Sequence, residues 1–453
     1  MKHDLKKIQV SGFKIHDFYY IIINMNNKRL ILILFILSLV THFAFFGHPN
    51  QTVFDEVHFG KFVSGYYTHE YYFDIHPPLG KLMIAGFAKI FNFKPEFSFA
   101  QIGEQFPDNK YMALRFLPSL AGALLPIVIF LLALQLKFSR QAAFAAGFLV
   151  AIENALIVQT HYALMDGFLL LFGFLSLLFY FKYRSKILNT KYLILASVFG
   201  GLAISIKWTG LTFLALPLIL EIWRCFINLS YDKFIKFLKS AIFFIFIPLI
   251  IYFSVFAIHF SLLTKPGIGD AFMSPNFQNK NVVKKFVELN IQMYQSNQRL
   301  TATHPYGSQW YTWPFMVRPI FYWVSENSRI YLLGNPVIWW SSTVAILLSL
   351  MYVTRHKIIR ILLGGYVLNL LPFIGIKRVM FLYHYLTALI FAILILVYLI
   401  ENIQPFDKLR ARKIFIGLVI ASAVAFVYFA PLTYGLPLSP KAYDARVWLP
   451  SWR

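Results

Sequence analysis

Long apolar windows that recur along the whole chain constrain its fold more than any other feature. Hydrophobic residues make up 58% of the 453 residues and charged residues only 13%, far from the balance of a soluble domain. Each window is about 17–25 residues long, the length that crosses a bilayer as a helix. The pattern predicts an all-α integral membrane protein in which the membrane replaces a large soluble core.

Eleven windows fit a membrane-spanning helix. They fall near residues 30–47, 112–136, 141–158, 163–181, 192–206, 208–227, 240–260, 335–353, 358–374, 381–400 and 413–431. A further apolar piece, 79–93, is short and carries Lys81 and Lys89, which is typical of an amphipathic helix in the membrane interface. Its start follows His76-Pro77-Pro78, which predicts a rigid turn because proline fixes its own backbone and restrains its predecessor.

The basic residues predict the orientation of these helices. The formal net charge is +23, but Lys and Arg cluster in short connections, which indicates a positive-inside membrane protein rather than a nucleic-acid-binding one. The expected inner segments are 1–29, 137–140, 182–191, 224–239, 354–360 and 402–413. This arrangement places the N-terminus in the cytoplasm, and the C-terminus and both long loops outside.

The chain then divides into four parts. Residues 1–29 form a cytoplasmic basic arm at anionic lipid headgroups, and residues 30–260 form an N-terminal transmembrane module that includes the first outer loop, 48–111. Residues 261–334 form the second outer loop, and residues 335–453 form a C-terminal transmembrane module with an extracytoplasmic tail.

The first outer loop contains the most polar stretch of the chain, from Phe54 to Lys81. Its adjacent carboxylates, Asp55 and Glu56, should point in different directions, since neighbouring side chains on a helix do. One could act as a general base towards a hydroxyl while the other orients a partner or binds sugar hydroxyls. The alternative is a solvated acidic loop or a helix N-terminus, where acidic residues are favourable.

The same stretch carries three histidines, His58, His69 and His76. Together with Asp74 they could suggest a metal site. Their spacing matches no compact zinc signature, so we predict no metal and favour interfacial histidines packed among tyrosines.

Charged residues near the ends of predicted spans form a second group. Arg115 and Lys207 are cations, and Glu153 and Asp166 flank an expected short outer hairpin. Each could be explained by snorkelling to the interface. Together they predict two cations and several carboxylates at one depth beside the first outer loop, where a lipid phosphate would be held by charge-assisted hydrogen bonds.

The second outer loop is dense in aromatic residues between 300 and 323 and also contains His304. An aromatic belt at the headgroup level explains most of the Trp and Tyr residues. Because aromatic faces also bind sugars and peptides, some of them could line an acceptor groove.

An ordered set of motifs resembles the protein O-mannosyltransferases, the dolichyl-phosphate-mannose–protein mannosyltransferase family. The motifs are DEVHFGKF, FDIHPPLGK, ALRFLPSLAGAL, IENALIVQTHYALMDG, HPYGSQWYTWP, GNPVIWW, LYHYLTAL and PLTYGLPL, in the expected order from about residue 53 to about residue 450. The resemblance implies a polytopic, inverting glycosyltransferase of the GT-C class. It would move mannose from polyprenyl (dolichyl) phosphate to Ser or Thr hydroxyls of a translocated protein, at the extracytoplasmic face.

The resemblance also implies roles for individual residues. Asp55 would be the catalytic base, and Glu56 would support the acceptor or sugar. Arg115 would hold the donor phosphate with Lys207 as a second cation, and the motifs give supporting roles to His76, Glu153, Asp166 and His304. No metal or cofactor is implied.

One departure from the family concerns the second outer loop. Residues 261–334 leave no room for the luminal β-trefoil insert of eukaryotic members, which implies a bacterial or archaeal enzyme in the plasma membrane, with a dimer as a possible arrangement. Two rival readings are a GT-C enzyme that transfers another lipid-linked sugar to a lipid or glycan, and a polytopic transporter, which would more often show repeat symmetry.

Overall fold

The computed structural model describes residues 25–185, 189–227, 230–299, 303–402 and 408–453. The predicted N-terminal arm lies outside the described residues except for residues 25–29. The described helices, α1 to α16 in chain order, are Asn27–Phe43, Glu56–Thr68, Leu79–Ile90, Met112–Gln135, Arg140–Ala151, Asn154–His161, Asp166–Ser185, Thr190–Ile206, Thr212–Ile227, Tyr231–Leu262, Val282–Arg299, Pro336–Ser349, Lys357–Leu368, Leu386–Asn402, Lys408–Tyr434 and Pro440–Asp444.

Each of the eleven predicted spans coincides with a helix or, in one case, a pair of helices. Within the described residues, seven helical segments are long and apolar enough to cross a membrane, and the bent pair α5–α6 makes an eighth if it counts as one span. Helices α8 and α12 are apolar but shorter, and α1 has 17 residues. The polytopic all-α class is confirmed, and the number of crossings stays a prediction.

The third predicted span is interrupted, which the sequence analysis missed. Helices α5 and α6 meet at an angle of 54°, because the backbone of Glu153 is extended and its side chain accepts the N–H of Ala155 at the start of α6. Glu153 is completely buried. It therefore lies within the bundle, at the bend between α5 and α6.

Burial separates central from peripheral helices. In the apolar stretch of the span that contains α14, 89% of the residues are buried. The corresponding fractions are 28% for the span that contains α10 and 22% for the span that contains α15. Helix α10 exposes a row of large apolar side chains, Ile242, Ile245, Phe246, Leu249 and Ile250. These peripheral helices have the apolar surface that lipid requires, while α14 packs against α12, α13 and α5 inside the bundle.

The two outer loops add short elements. Helix α3 begins directly after Pro78, as the proline pair predicts. In the second loop, strands β1 (Ile320–Val324) and β2 (Arg329–Leu332) form an antiparallel hairpin with a bulge between Phe321 and Trp323. The hairpin, which the sequence analysis did not predict, packs against the start of the first loop.

Candidate functional site

Asp55 lies immediately before the first residue of α2. Its predecessor Phe54 has a positive φ of 48° and donates its N–H to the carbonyl of Tyr322 on β1 at 2.9 Å. The rings of Phe54 and Tyr322 stack with their centroids 4.0 Å apart. The hairpin thus fixes the backbone beside Asp55, whose half-buried carboxylate forms no hydrogen bond or ion pair with any residue that the structure describes.

Charged neighbours surround this unpaired carboxylate. Burial raises the pKa of Asp55 from 3.8 to about 6, an effect that His58 and Lys207 oppose and that Asp166 and Asp74 reinforce. Asp55 is therefore mostly ionised at neutral pH and more basic than an ordinary aspartate. These are the properties that a general base needs.

The neighbouring carboxylate, Glu56, points into the protein and is only 2% exposed. It accepts two hydrogen bonds from Arg115, Nε to Oε1 at 2.8 Å and Nη2 to Oε2 at 2.7 Å. The backbone N–H groups of Val53 and Ala163 each donate to it at 2.9 Å. Glu56 therefore anchors the loop to α4 and to the segment between α6 and α7.

Arg115 is fully buried, and all its donors are occupied. Besides Glu56, its terminal nitrogens donate to the backbone carbonyls of Gly47, Pro49 and Gln51. A guanidinium has five N–H groups, and none is left for a phosphate. This geometry contradicts the predicted role of Arg115 as a phosphate ligand, although it lies near Asp55 as predicted.

Lys207 and Asp166 form a buried ion pair, with Nζ 2.9 Å from both carboxylate oxygens. Gln159 Nε2 donates to Asp166 at 2.6 Å, and the Tyr322 hydroxyl donates to Gln159 Oε1. Lys207 and Asp166, which the sequence analysis expected at one depth, are in direct contact. Through Gln159, these contacts also connect Lys207 and Asp166 to Tyr322 on β1, whose carbonyl accepts the N–H of Phe54.

A cavity of about 200 Å³ lies beside this network. Lys207, Arg378, His76 and His384 line it, and much of the remaining wall is apolar: Leu169, Leu170, Pro372, Phe373 and Ile376. Tyr383 also lines it, and its ring lies 6.2 Å from that of Phe54. Asp55 does not itself line this cavity, but it interacts electrostatically with Lys207 and Asp166, which do. It therefore lies next to a cavity that combines cations with an apolar wall.

Arg378 is the cation that the sequence analysis did not assign to the site. Its Nε is buried without a hydrogen-bond partner in the described part of the chain, and no ion pair of its guanidinium is found there. The available signal was weak: Lys377 and Arg378 sit side by side just before LYHYL, and the sequence does not show which of them turns inward. In the structure Lys377 is exposed.

His76 and His304, the two histidines predicted to have supporting roles, lie in different environments. Burial lowers the pKa of His76 well below 6.5, with Lys207 and Arg378 adding to the effect, so His76 lines the cavity in its neutral form. His304 is exposed and accepts the N–H of Tyr306 at 3.2 Å. Among the described residues, His, Cys, Asp and Glu form no group of three or more that could hold a metal ion.

Glu153 lies apart from the cavity, at the bend between α5 and α6. Both of its carboxylate oxygens accept the N–H of Asn335, each at 3.1 Å, and Asn335 caps α12 through the N–H groups of Val337 and Ile338. Glu153 thus joins the starts of α6 and α12. The structure supports a positioning role for this residue.

Sequence profiles of known families match most of the chain. One, described as dolichyl-phosphate-mannose-protein mannosyltransferase, matches residues 32–264. Another, described as the C-terminal four-transmembrane region of protein O-mannosyltransferase, matches residues 282–452. The two matches cover both transmembrane modules.

Curated relatives match a little over half of the chain. Dolichyl-phosphate-mannose–protein mannosyltransferase 4 of Candida albicans is 35% identical over 261 residues, 54% of this chain and 34% of that protein. Protein O-mannosyltransferase 1 of Drosophila pseudoobscura is 32% identical over 287 residues, 61% of this chain and 31% of that protein. The chain spans about a third of the length of these relatives.

Solved structures match nearly the whole chain. The Saccharomyces cerevisiae protein O-mannosyltransferase Pmt1-Pmt2 complex bound to the sugar donor superposes with a TM-score of 0.89 at 20% identity, over 95% of this chain and 93% of that one. ArnT from Cupriavidus metallidurans bound to undecaprenyl phosphate gives a TM-score of 0.55 at 12% identity, over 91% and 77%. The likeness establishes the fold, which is of the GT-C type.

Proposed function

The chain belongs to the dolichyl-phosphate-mannose–protein mannosyltransferase family, and from that premise we propose that it transfers mannose from a polyprenyl or dolichyl phosphate to Ser or Thr hydroxyls of translocated proteins. The observation that carries the proposal is the unpaired carboxylate of Asp55 next to a cavity lined by Lys207 and Arg378. A base close to a cavity that two cations line suits a hydroxyl acceptor and a phosphate leaving group.

Asp55 takes the proton of the acceptor hydroxyl as its oxygen attacks the anomeric carbon from the face opposite the phosphate. The new carbon–oxygen bond forms while the bond from the anomeric carbon to the phosphate oxygen breaks, and the electron pair leaves with the polyprenyl phosphate. One displacement inverts the anomeric configuration. The raised pKa of Asp55, about 6, suits this base, because it is ionised at neutral pH and still accepts a proton readily.

Lys207 and Arg378 hold the donor phosphate and stabilise the negative charge that grows on it. Lys207 is already paired with Asp166, which fixes the direction of its ammonium group. The Nε of Arg378, which has no hydrogen-bond partner among the described residues, donates to a phosphate oxygen. The apolar part of the cavity wall receives the first isoprene units of the lipid.

Glu56 and Arg115 position the base and do not contact substrate. Their ion pair joins the start of α2 to α4, so it fixes the backbone that carries Asp55. His76 supports the phosphate site as a neutral neighbour, and Asp166 orients Lys207. His304, at the exposed rim beside aromatic rings, has a place on the acceptor side.

The site faces the extracytoplasmic side of the plasma membrane, with the N-terminus in the cytoplasm and the C-terminus outside. The concentration of Lys and Arg in the short connections at the other end of the bundle supports this orientation. The yeast relative in the structural comparison is a two-protein complex, and a dimer of this chain is the corresponding arrangement.

A transfer assay tests the function. The purified protein is given polyprenyl-phosphate [³H]mannose and a Ser/Thr peptide, with an otherwise identical Ala peptide as the control acceptor. We expect label on the Ser/Thr peptide alone and an inverted linkage. Parallel reactions use polyprenyl-phosphate glucose as the donor or a lipid as the acceptor. Transfer from the glucose donor but not from the mannose donor would overturn the proposal, and so would transfer of mannose to the lipid but to neither peptide.

A further inference from the structure

Three helices run from the cavity to the opposite end of the bundle. Asp166 begins α7, Thr212 begins α9, and Asn369 follows the last residue of α13, and all three line the cavity. Helix α7 has 20 residues, so its far end lies about 28 Å away at 1.5 Å per residue. The far ends carry three cations: Arg184, Arg224 and Lys357.

Two of these cations, Arg184 and Arg224, converge on one carboxylate, Glu221, which is 7% exposed. Arg184 Nε lies 3.9 Å and Arg224 Nη1 3.5 Å from Glu221 Oε1. The hydroxyl of Tyr180 also donates to Oε1, at 2.7 Å. Glu221 is therefore shared by two arginines and a tyrosine.

Two more cations stand beside this pair. Lys357, at the start of α13, is close enough to Arg184, Arg224 and Arg360 to interact with all three electrostatically. Arg360 donates to the carbonyls of the turn before α13, and neither Lys357 nor Arg360 forms an ion pair within the described residues. We call Arg184, Arg224, Lys357 and Arg360 the distal basic cluster.

The distal basic cluster sets four cations against the single carboxylate of Glu221. A positive-inside bias explains the sign of these charges. It does not explain why residues from three helices converge, since two unit charges 4 Å apart repel by about 1 kcal/mol even in bulk water and more near protein. The arrangement calls for an anion that offsets this excess positive charge.

The surface next to the cluster indicates what carries that anion. The last turns of α9 expose Ile222, Trp223, Phe226 and Ile227, with exposed fractions of 39%, 62%, 79% and 62%. Trp at the end of a membrane helix is typical of the headgroup level. An anion bound here sits beside an apolar surface fit for acyl chains.

We propose that the distal basic cluster binds the phosphodiester headgroup of an anionic phospholipid whose acyl chains lie along the end of α9. Arginine suits this ligand, because its planar fork donates to two phosphate oxygens at once. Basic sites between transmembrane helices at a cytoplasmic face are a known setting for acidic lipids. The bound lipid holds together the ends of α7, α9 and α13.

The test uses the full chain purified in detergent, titrated with dioleoylphosphatidylglycerol, dioleoylphosphatidylcholine or inorganic phosphate. Native mass spectrometry counts retained lipids, and the melting temperature reports stabilisation. We expect the wild-type protein to retain phosphatidylglycerol and to melt at a higher temperature with it. We expect little effect of phosphatidylcholine or inorganic phosphate.

The decisive variant is Arg224→Gln with Lys357→Gln, and the matched control is Lys191→Gln with Lys236→Gln. The control removes two exposed lysines from the same end of the bundle without touching the cluster. We expect the cluster variant to retain one phosphatidylglycerol molecule fewer than the wild-type protein and to bind this lipid at least fivefold more weakly. The control should match the wild-type protein in both measurements. The single variant Arg224→Gln, at a side chain that is 45% exposed, gives the same comparison if the double variant does not fold.

Three results would overturn the proposal. Equal losses in the cluster variant and the control would mean diffuse charge attraction. Equal stabilisation by phosphatidylcholine would mean no headgroup selectivity, and equal stabilisation by inorganic phosphate would mean a site for soluble anions.

Discussion

Asp55 and Glu56 are adjacent in the sequence, but their surroundings differ. Glu56 is enclosed by Arg115 and two backbone amides, so its charge is fully satisfied. Asp55 has no such partners in the part of the chain that the structure describes, and burial raises its pKa to about 6. The sequence predicted that the two carboxylates diverge, but the partners of Glu56 come from segments far along the chain, which adjacency alone does not reveal.

The pH dependence of transfer follows from Asp55. Because its pKa is raised, the base form is lost as the pH falls through about 6. We expect the initial rate at saturating donor to fall along a single ionisation on the acid side and to level off above about pH 7. Rates measured from about pH 5 to 8 check this, with the exposed Glu70→Gln as the control. A rate that does not change across pH 6 would exclude Asp55 as the titrating base.

Arg115→Gln should lower stability, because it leaves the carboxylate of Glu56 buried without its cation. Removing one partner of a buried ion pair costs about 3–5 kcal/mol, so we expect a clear drop in melting temperature in detergent. Lys110→Gln, at an exposed ion pair, is the control and should change little. Normal stability of Arg115→Gln combined with a raised donor KM would restore Arg115 as a phosphate ligand.

Arg378→Gln should chiefly weaken use of the donor. A hydrogen bond to a charged group contributes about 1.5–3 kcal/mol, so kcat/KM for polyprenyl-phosphate mannose should fall about ten- to hundredfold. The neighbouring and exposed Lys377→Gln is the matched control. If the two variants lose equal activity, the loss reflects general positive charge and not a specific phosphate contact.

At the scale of elements, the sequence predicted helices well and their interruptions poorly. Hydropathy reveals apolar length, and each predicted window holds a helix. The bend at Glu153 was missed because the residues on both sides of it are apolar, as in a continuous span. The hairpin of β1 and β2 was missed because its aromatic residues also suit a membrane-interface belt.

The bend depends on the contacts of Glu153. Glu153→Ala removes the acceptor of the Ala155 and Asn335 N–H groups, and each buried group left unpaired costs about 1–3 kcal/mol. We expect a lower melting temperature for Glu153→Ala and a smaller change for Glu153→Gln, which keeps one carbonyl oxygen. Melting curves of both variants in one detergent provide the comparison, and equal losses would argue against the acceptor role.

At the scale of the whole molecule, the ordered motifs predicted the family and the fold, and both are confirmed. They also predicted that Asp55, Arg115, Lys207 and Asp166 gather in one region. They did not predict which charges pair. Motifs identify residues, but the packing of separate helices decides that Arg115 pairs with Glu56 and that the Nε of Arg378 has no partner among the described residues.

The account depends on an unpaired carboxylate beside a cation-lined cavity. The most direct test is mannose transfer by Asp55→Asn, with donor affinity measured in the same preparation and Glu70→Gln as the control. We predict a hundred- to ten-thousandfold lower rate, about the contribution of a general base, with donor affinity unchanged and the control fully active. Transfer by Asp55→Asn at the wild-type rate would contradict the account.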